Sequence, residues 1–172
     1  MPEGIPAEVV NKVLWRIPNV LCLIGAASGE ELNGMTASWV TQVAMEPVLV
    51  AVSVDRTALT HRLIREGRRF SVNLWSREDT RPFVSFSKPA RREGSTLNGR
   101  PVRVGLTGAP IFEEAIAFLD CRLWGEVDCG THTLFLGDVV DCGFQGEGEG
   151  REVARVEDTR MHYGGVKRRS GG

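Results

Sequence analysis

The spacing of apolar residues changes several times along the chain, and each change marks an element. Val9, Val10, Val13 and Leu14 recur at helical intervals behind Pro6, which suits a first turn; the pattern predicts a helix over residues 6–15, stopped by Pro18. Residues 20–24 form a short apolar, β-compatible run, and residues 25–34 read as a polar, hairpin-like connection. Residues 35–43 and 47–54 then predict two strands around a short turn, the second apolar enough to be buried. Leu59, Leu63 and Ile64 line one face of a helix over residues 55–67, with Asp55 or Thr57 as its cap and Gly67 as a left-handed stop. Residues 70–74 alternate as a strand, and residues 76–86 fit a helix capped by Ser76 with Glu78 in its first turn.

Residues 87–108 break the pattern. Four glycines and five basic residues predict a loop-rich excursion with one short strand at 102–104. Residues 117–127 alternate again, with Leu119, Cys121, Leu123 and Val127 on one face and Asp120, Arg122 and Glu126 on the other. A turn at Asp128, Cys129 and Gly130 leads into a partner strand over 131–140. Residues 143–150 read as a flexible link, 151–156 as a last short strand, and the tail is polar. Short strands that end in hairpins, without regular strand–helix alternation, favour a mainly β barrel with helical insertions over a parallel sheet. The length of 172 residues fits one domain spanning 1–172, with an N-terminal helix in 1–18 and a C-terminal extension over 143–172.

Charge and cysteine usage narrow the function classes. With 21 basic against 22 acidic residues, net charge −1, the chain has no overall field for a polyanion, so nucleic acid is not an expected partner. The small basic cluster Lys167, Arg168 and Arg169 reads as a solvated end. Cys22, Cys121, Cys129 and Cys142 form no Cys-x-x-Cys pair and no zinc-like spacing with histidine; they read as free thiols. Glu3 and the lack of a basic segment before an apolar core argue against a signal peptide, and no apolar run reaches the ~20 residues of a membrane helix. The expected location is cytoplasmic, away from the membrane.

No glycine-rich phosphate loop of the usual dinucleotide or nucleotide type is present, and Glu147 and Glu149 make residues 143–150 a poor phosphate cradle. There is no Gly-x-Ser-x-Gly elbow and no clear metal spacing. The segment Asn33, Gly34, Met35, Thr36, Ala37, Ser38, Trp39, Val40, Thr41, Gln42 stands out instead. It sets hydroxyls, an amide and an indole beside a buried strand, the arrangement that a flat, heteroatom-rich ligand needs.

That segment, together with the strand to Val54, resembles the flavin reductase family. Further pieces similar to that family follow in order: Thr60-His61-Arg62-Leu63-Ile64 with Gly67, Phe70-Ser71-Val72-Asn73-Leu74, Ser87 after Phe86, and Gly130-Thr131-His132 running into Val139. The Ser38-Trp39 form is similar to the reductase modules that accompany rubredoxins and flavodiiron proteins, and to flavoredoxin. The resemblance implies a split β-barrel of Greek-key type that binds flavin mononucleotide (FMN), with FAD possible, usually as a homodimer with the flavin near the interface.

The resemblance also implies roles residue by residue. Thr36, Ala37, Ser38 and Trp39 would lie along the flavin ring, with Trp39 either a flavin contact or dimer core. Asn33 would reach the ring or ribityl chain, or hold a turn. Val52, Ser53 and Val54 would touch the ribityl chain through their backbone. Thr60, near a helix N-terminus that favours anions, with Arg56, Ser87 and Lys88, would meet the phosphate. Ala58 departs from a serine common in the family, so one phosphate bond would be missing or replaced, by Arg56, Thr57 or Arg91. His132 would be the catalytic residue near the nicotinamide side, or a strand histidine bonded to its neighbours. His61 reads as structural or interfacial, and His162 with Tyr163 as a tail able to close over the flavin. The implied activity is hydride transfer from NADH or NADPH to flavin N5; the rival is an FMN electron carrier with little nicotinamide activity. An acceptor protein is a possible partner in either case.

Overall fold

A seven-stranded antiparallel sheet and a four-stranded one account for eleven strands, and three α-helices accompany them, in the computed structural model, which describes residues 4–160 and 165. His162, Tyr163, Lys167, Arg168 and Arg169 lie outside the described residues. In chain order the elements are α1 (Ala7–Leu14), β1 (Cys22–Ser28), β2 (Glu31–Ala37), β3 (Val40–Met45), β4 (Val48–Asp55), α2 (Leu59–Gly67), β5 (Arg69–Leu74), α3 (Arg81–Ser85), β6 (Arg92–Glu93), β7 (Thr96–Leu97), β8 (Arg100–Val104), β9 (Pro110–Phe112), β10 (Ala117–Asp128) and β11 (His132–Phe144). The large sheet runs β2-β1-β5-β10-β11-β4-β3 and the small one β6-β7-β8-β9. The edges of the large sheet, β2 and β3, are consecutive in the chain and joined through Ser38 and Trp39 alone. The sheet is a split barrel, open along that seam.

Two apolar clusters hold this arrangement. Inside the barrel, Ile24, Val52, Phe70, Val72 and Phe135 pack with Leu63 and Ile64 of α2, all fully buried. On the other side of β1, Leu21 and Leu23 meet Trp75, Phe83, Phe86 and Phe112, with edge-on ring pairs at 5.1 Å (Phe86–Phe112) and 6.1 Å (Trp75–Phe112). Asn73, fully buried, ties three strands: its amide donates to Leu23 O (3.2 Å) on β1 and its oxygen accepts from the Phe112 N–H (2.9 Å) on β9. An amide with a free end here would cost more than its bonds contribute.

Several elements differ from the sequence pattern, each for a physical reason. Residues 25–28 and 31–34 are strand, not connection: Gly25 and Gly34 face each other across β1 and β2, so the turn shrinks to Gly29 and Glu30. A side chain at Gly25 would strike Pro110 O at 2.2 Å, which explains a glycine within a strand. The run 35–43 breaks at Ser38 and Trp39. The helix expected over 76–86 is only α3; Ser76 instead bridges to Val153, and its hydroxyl accepts from Glu78 N–H in a turn. The excursion 87–108 carries β6, β7 and β8 rather than one strand. Asp120 faces inward, its carboxylate accepting from the N–H and hydroxyl of Thr107. Val127, expected on the inward face, is exposed. Residues 143–150 are not a loose link: β11 continues to Phe144, and Gly148 is buried where a side chain would meet Ile116 O at 1.9 Å. Residues 151–156 form two isolated bridges, Val153 with Ser76 and Arg155 with Val20. The apolar residues of α1 are not buried. Among the described residues no helix is long and apolar enough to cross a membrane.

Gly67 ends α2, but the left-handed residue is Arg68 (φ 57°). Gly67 is required for a different reason: a Cβ there would lie 1.7 Å from Ala27 O on β1. Gly67→Ala is therefore expected to lower stability by at least about 2 kcal/mol, because backbone must move to admit the methyl; urea denaturation of the two proteins measures it. His61, on the buried face of α2, bonds Thr133 Oγ1 (2.8 Å) and stacks at 5.1 Å on Phe135. Burial first, then the nearby Arg65, holds its pKa below the ordinary 6.5. The unfolded chain thus binds the proton more readily. The contribution of His61 is complete above about pH 6.5 and lost as pH falls toward the folded value. Denaturation midpoints should drop on acidification across this window, and drop less in His61→Gln.

Candidate functional site

The seam between β2 and β3 opens into a cavity of about 170 Å3 lined by Met35, Thr36, Ala37, Ser38, Trp39, Ser53, Asp55 and His132. Its far wall follows from register. β11 pairs with β4 so that His132 stands opposite Asp55 and Leu134 opposite Ser53, which puts the alternate residues Ser53 and Asp55 on the same face as His132. The near wall is the link itself. Ser53 N–H donates to Trp39 O (3.0 Å), which brings the indole beside the imidazole of His132, ring centroids 5.1 Å apart and tilted by 55°.

Ser38 is the unusual residue of this wall. It is only 6% exposed, yet among the described residues its N–H, C=O and hydroxyl make no hydrogen bond. The ladder of β2 ends at Ala37 and that of β3 begins at Val40, so the backbone of Ser38 has no strand opposite. Buried main-chain groups are almost always paired. Ser38 therefore offers a donor and an acceptor, with a hydroxyl beside them, to whatever fills the cavity.

His132 is held from outside. Its Nδ1 lies 2.9 Å from Thr131 Oγ1. The turn before it is clasped by Arg56, whose Nη1 donates to Asp128 Oδ2 (3.1 Å) and Gly130 O (3.3 Å) while its backbone N–H donates to Thr131 O (3.1 Å). Arg56, expected at a phosphate, is thus engaged with this hairpin. Asp55 anchors the next turn, one carboxylate oxygen accepting from the N–H (2.8 Å) and hydroxyl (2.7 Å) of Thr57.

Asn33, Thr60 and Ala90 meet at the other end of β2. Asn33 and Thr60 are buried and bonded to each other, Asn33 Nδ2 to Thr60 Oγ1 at 2.8 Å, and Asn33 Oδ1 accepts from Ala90 N–H at 2.7 Å. Thr60 therefore has no open hydroxyl at the surface, and Asn33 lies away from the seam. Thr36 lines the cavity, but its hydroxyl donates inward to Phe83 O (2.8 Å) and its N–H to Phe86 O (3.0 Å). Ser87 is exposed with its hydroxyl donated to Val84 O (2.7 Å), and Lys88 is exposed. Val52 and Val54 turn fully buried side chains into the core. The backbone of Val52 is laddered on both sides, that of Val54 on one.

Thus Thr36, Ala37, Ser38, Trp39, Ser53 and His132 come together; Asn33, Thr60 and the segment after Ser87 form a separate group; Arg56 joins neither. Met35 and Asp55 line the cavity and were not singled out in the sequence. Asp55 reads locally as a helix cap, and only the β4–β11 register reveals its second position. Among the described residues no cluster of His, Cys, Asp and Glu has the makings of a metal site. Burial pushes the thiols of Cys22 and Cys121 up to about 12, which leaves them inert.

Comparison with known proteins agrees with this architecture. The family model described as "Flavin reductase like domain" matches residues 14–167. The high molecular weight rubredoxin of Moorella thermoacetica is 31% identical over 141 residues, covering 81% of this chain and 62% of that protein. The ferric-chelate reductase (NAD(P)H) of Archaeoglobus fulgidus is 29% identical, covering 76% of this chain and 78% of its own. The crystal structure of the FMN-binding protein from Thermus thermophilus superposes with a TM-score of 0.67 at 29% identity, over 78% of this chain and 76% of that one. The chain spans 62% of the rubredoxin and about a quarter of the putative diflavin flavoproteins of Nostoc that it also resembles. With the model matched across nearly its whole length, this chain belongs to the flavin reductase like domain family.

Proposed function

We propose that this chain binds FMN at the β2–β3 seam and is an oxidoreductase that passes hydride from NADH or NADPH to the bound flavin. The observation that carries the reading is Ser38: a buried residue whose donor and acceptor find no partner among the described residues, on a cavity walled by Trp39 and His132. A flavin ring is flat and lined with alternating donors and acceptors along one edge, which is what such a strand break can pair. The residues present therefore fit the group. When bound, the flavin supplies a hydride acceptor at N5.

The chain's own part is to bind, orient and exclude water. Ala37, Ser38 and Trp39 would meet the ring, and the backbone of Ser53 and Val54 the ribityl chain. The phosphate would lie at the other end of β2, between Lys88 with Ser87 and the N-terminus of α2. That helix begins at Ala58 without a side-chain cap, so its first-turn N–H groups favour an anion. His132, at the mouth of the cavity, would orient the nicotinamide and hold or release a proton near the reduced ring. FAD is accommodated by the same ring contacts.

A cavity of about 170 Å3 is smaller than the ~300–1,000 Å3 of ordinary cofactor sites. We read the site as completed by a second copy of the chain, packed over the outer face of β4 and β11 where Leu134 and Leu136 are only partly covered. The similarity to a rubredoxin and to diflavin flavoproteins supports an acceptor protein as the onward partner. A flavin electron carrier is the second reading, since the same flavin contacts would serve it; a flavoredoxin from Methanosarcina acetivorans shares the fold (TM-score 0.65, 23% identity, 74% of this chain and 69% of that one).

FMN added to the purified protein should bind, and anaerobic NADH or NADPH should bleach the oxidised band. His132→Ala should slow that bleaching at least about tenfold with FMN affinity near wild type. Bound flavin that bleaches with dithionite but with neither nicotinamide would move the assignment to the carrier; a chain that takes up no flavin would overturn both. Separately, Ser38→Pro removes the free N–H and should weaken FMN about tenfold or more, measured by quenching of flavin fluorescence.

A further inference from the structure

Segment 86–92 runs along the outer edge of β2 in the antiparallel sense. Phe86 O accepts from Thr36 N–H, Asn33 Oδ1 from Ala90 N–H, and Glu30 O from the Arg92 guanidinium. The middle of these three ties is made by a side chain, because no main-chain ladder forms between residues 33 and 90. The other end of the same amide donates to Thr60 Oγ1, in the first turn of α2. Asn33 is 2% exposed and Thr60 fully buried, so the bond between them is sheltered from competing water, and the one from Ala90 partly so. One amide thus joins the segment that carries Ser87 and Lys88 to the helix start that has no side-chain cap of its own. A primary amide carries in one planar group the donor and the acceptor that this bridge needs.

We propose that Asn33 is a positioning residue for the terminal phosphate of the flavin: it fixes the distance between the N-terminus of α2 and Ser87–Lys88, and it does not touch the ring. This inference rests on the flavin reading above. Asn33 itself lies about 17 Å from Ser38 along the extended strand, although the segment it holds begins at Phe86 beside Thr36. A defect at Asn33 is therefore expected to act on a ligand's phosphate more than on its ring. Thr60 belongs to the same device, as the acceptor that locks the helix to the amide.

Riboflavin, which has the ring and ribityl chain of FMN but no phosphate, is the probe that isolates this role. Asn33→Leu keeps the buried volume and removes both bonds; Thr60→Val removes the acceptor alone and keeps the shape. Affinities of wild type and both variants for FMN and riboflavin would be measured by fluorescence quenching, with hydrogen exchange of the Ala90 amide as a readout independent of ligand. The expected result is a loss of FMN affinity of about tenfold or more in Asn33→Leu. A smaller loss is expected in Thr60→Val. Riboflavin affinity should stay within about twofold of wild type in both. The Ala90 amide should exchange faster in Asn33→Leu and stay protected in Thr60→Val. Equal losses for FMN and riboflavin, or no loss in Asn33→Leu, would overturn the inference while leaving the flavin site standing. A wild-type chain that binds neither flavin would overturn the flavin reading and this inference with it.

Discussion

The pairing of β4 with β11 is the constraint on which the rest of the site depends. It is a ladder between two strands whose inward faces are filled by Val52, Val54 and Phe135. Because side chains alternate, burying those residues forces Ser53, Asp55, Leu134 and His132 to the opposite face. A slip of one residue would put imidazole and carboxylate into the apolar interior. The cost of that slip is why the face lining the cavity is so firmly specified, although none of its own residues contributes much to the core.

Where the ladder stops is as important as where it runs. A fully closed barrel would pair every main-chain group of β2 and β3, leaving nothing for a ligand to bond. The chain instead leaves β2 at Ala37 and enters β3 at Val40, and between them Ser38 is buried with no partner among the described residues. The neighbouring Thr36 is anchored to the buried Phe83 and Phe86, so the break is held by well-packed structure on one side and by the Ser53–Trp39 bond on the other. The unpaired groups are thereby kept rigid, which lowers the ordering cost of binding.

The sequence made the class of fold legible, because alternation in 70–74 and 117–127 and the helical spacing of Leu59, Leu63 and Ile64 are properties of single elements. It also pointed to the seam, since 33–42 concentrates polar groups beside an apolar strand. What it could not show depends on pairing between distant residues. Asp120 looks outward by alternation, yet Thr107 supplies both bonds that bury it. Arg56 and Thr60 look available to a phosphate, yet Asp128 and Asn33 engage them, across separations of 72 and 27 residues. Gly67 suggested a left-handed turn, and its real reason is a carbonyl on β1 that only the assembled sheet brings near.

The two ends of β2 differ in sign as well as in shape. At the seam stands the carboxylate of Asp55; at the far end Asn33 meets the first turn of α2, a helix start without a side-chain cap. A molecule with a neutral plate and an anionic tail meets repulsion in one orientation and attraction in the other. On the proposed flavin reading, this polarity would sort such a ligand head from tail during approach, before any close contact is made, and would disfavour compounds that carry negative charge on the plate itself.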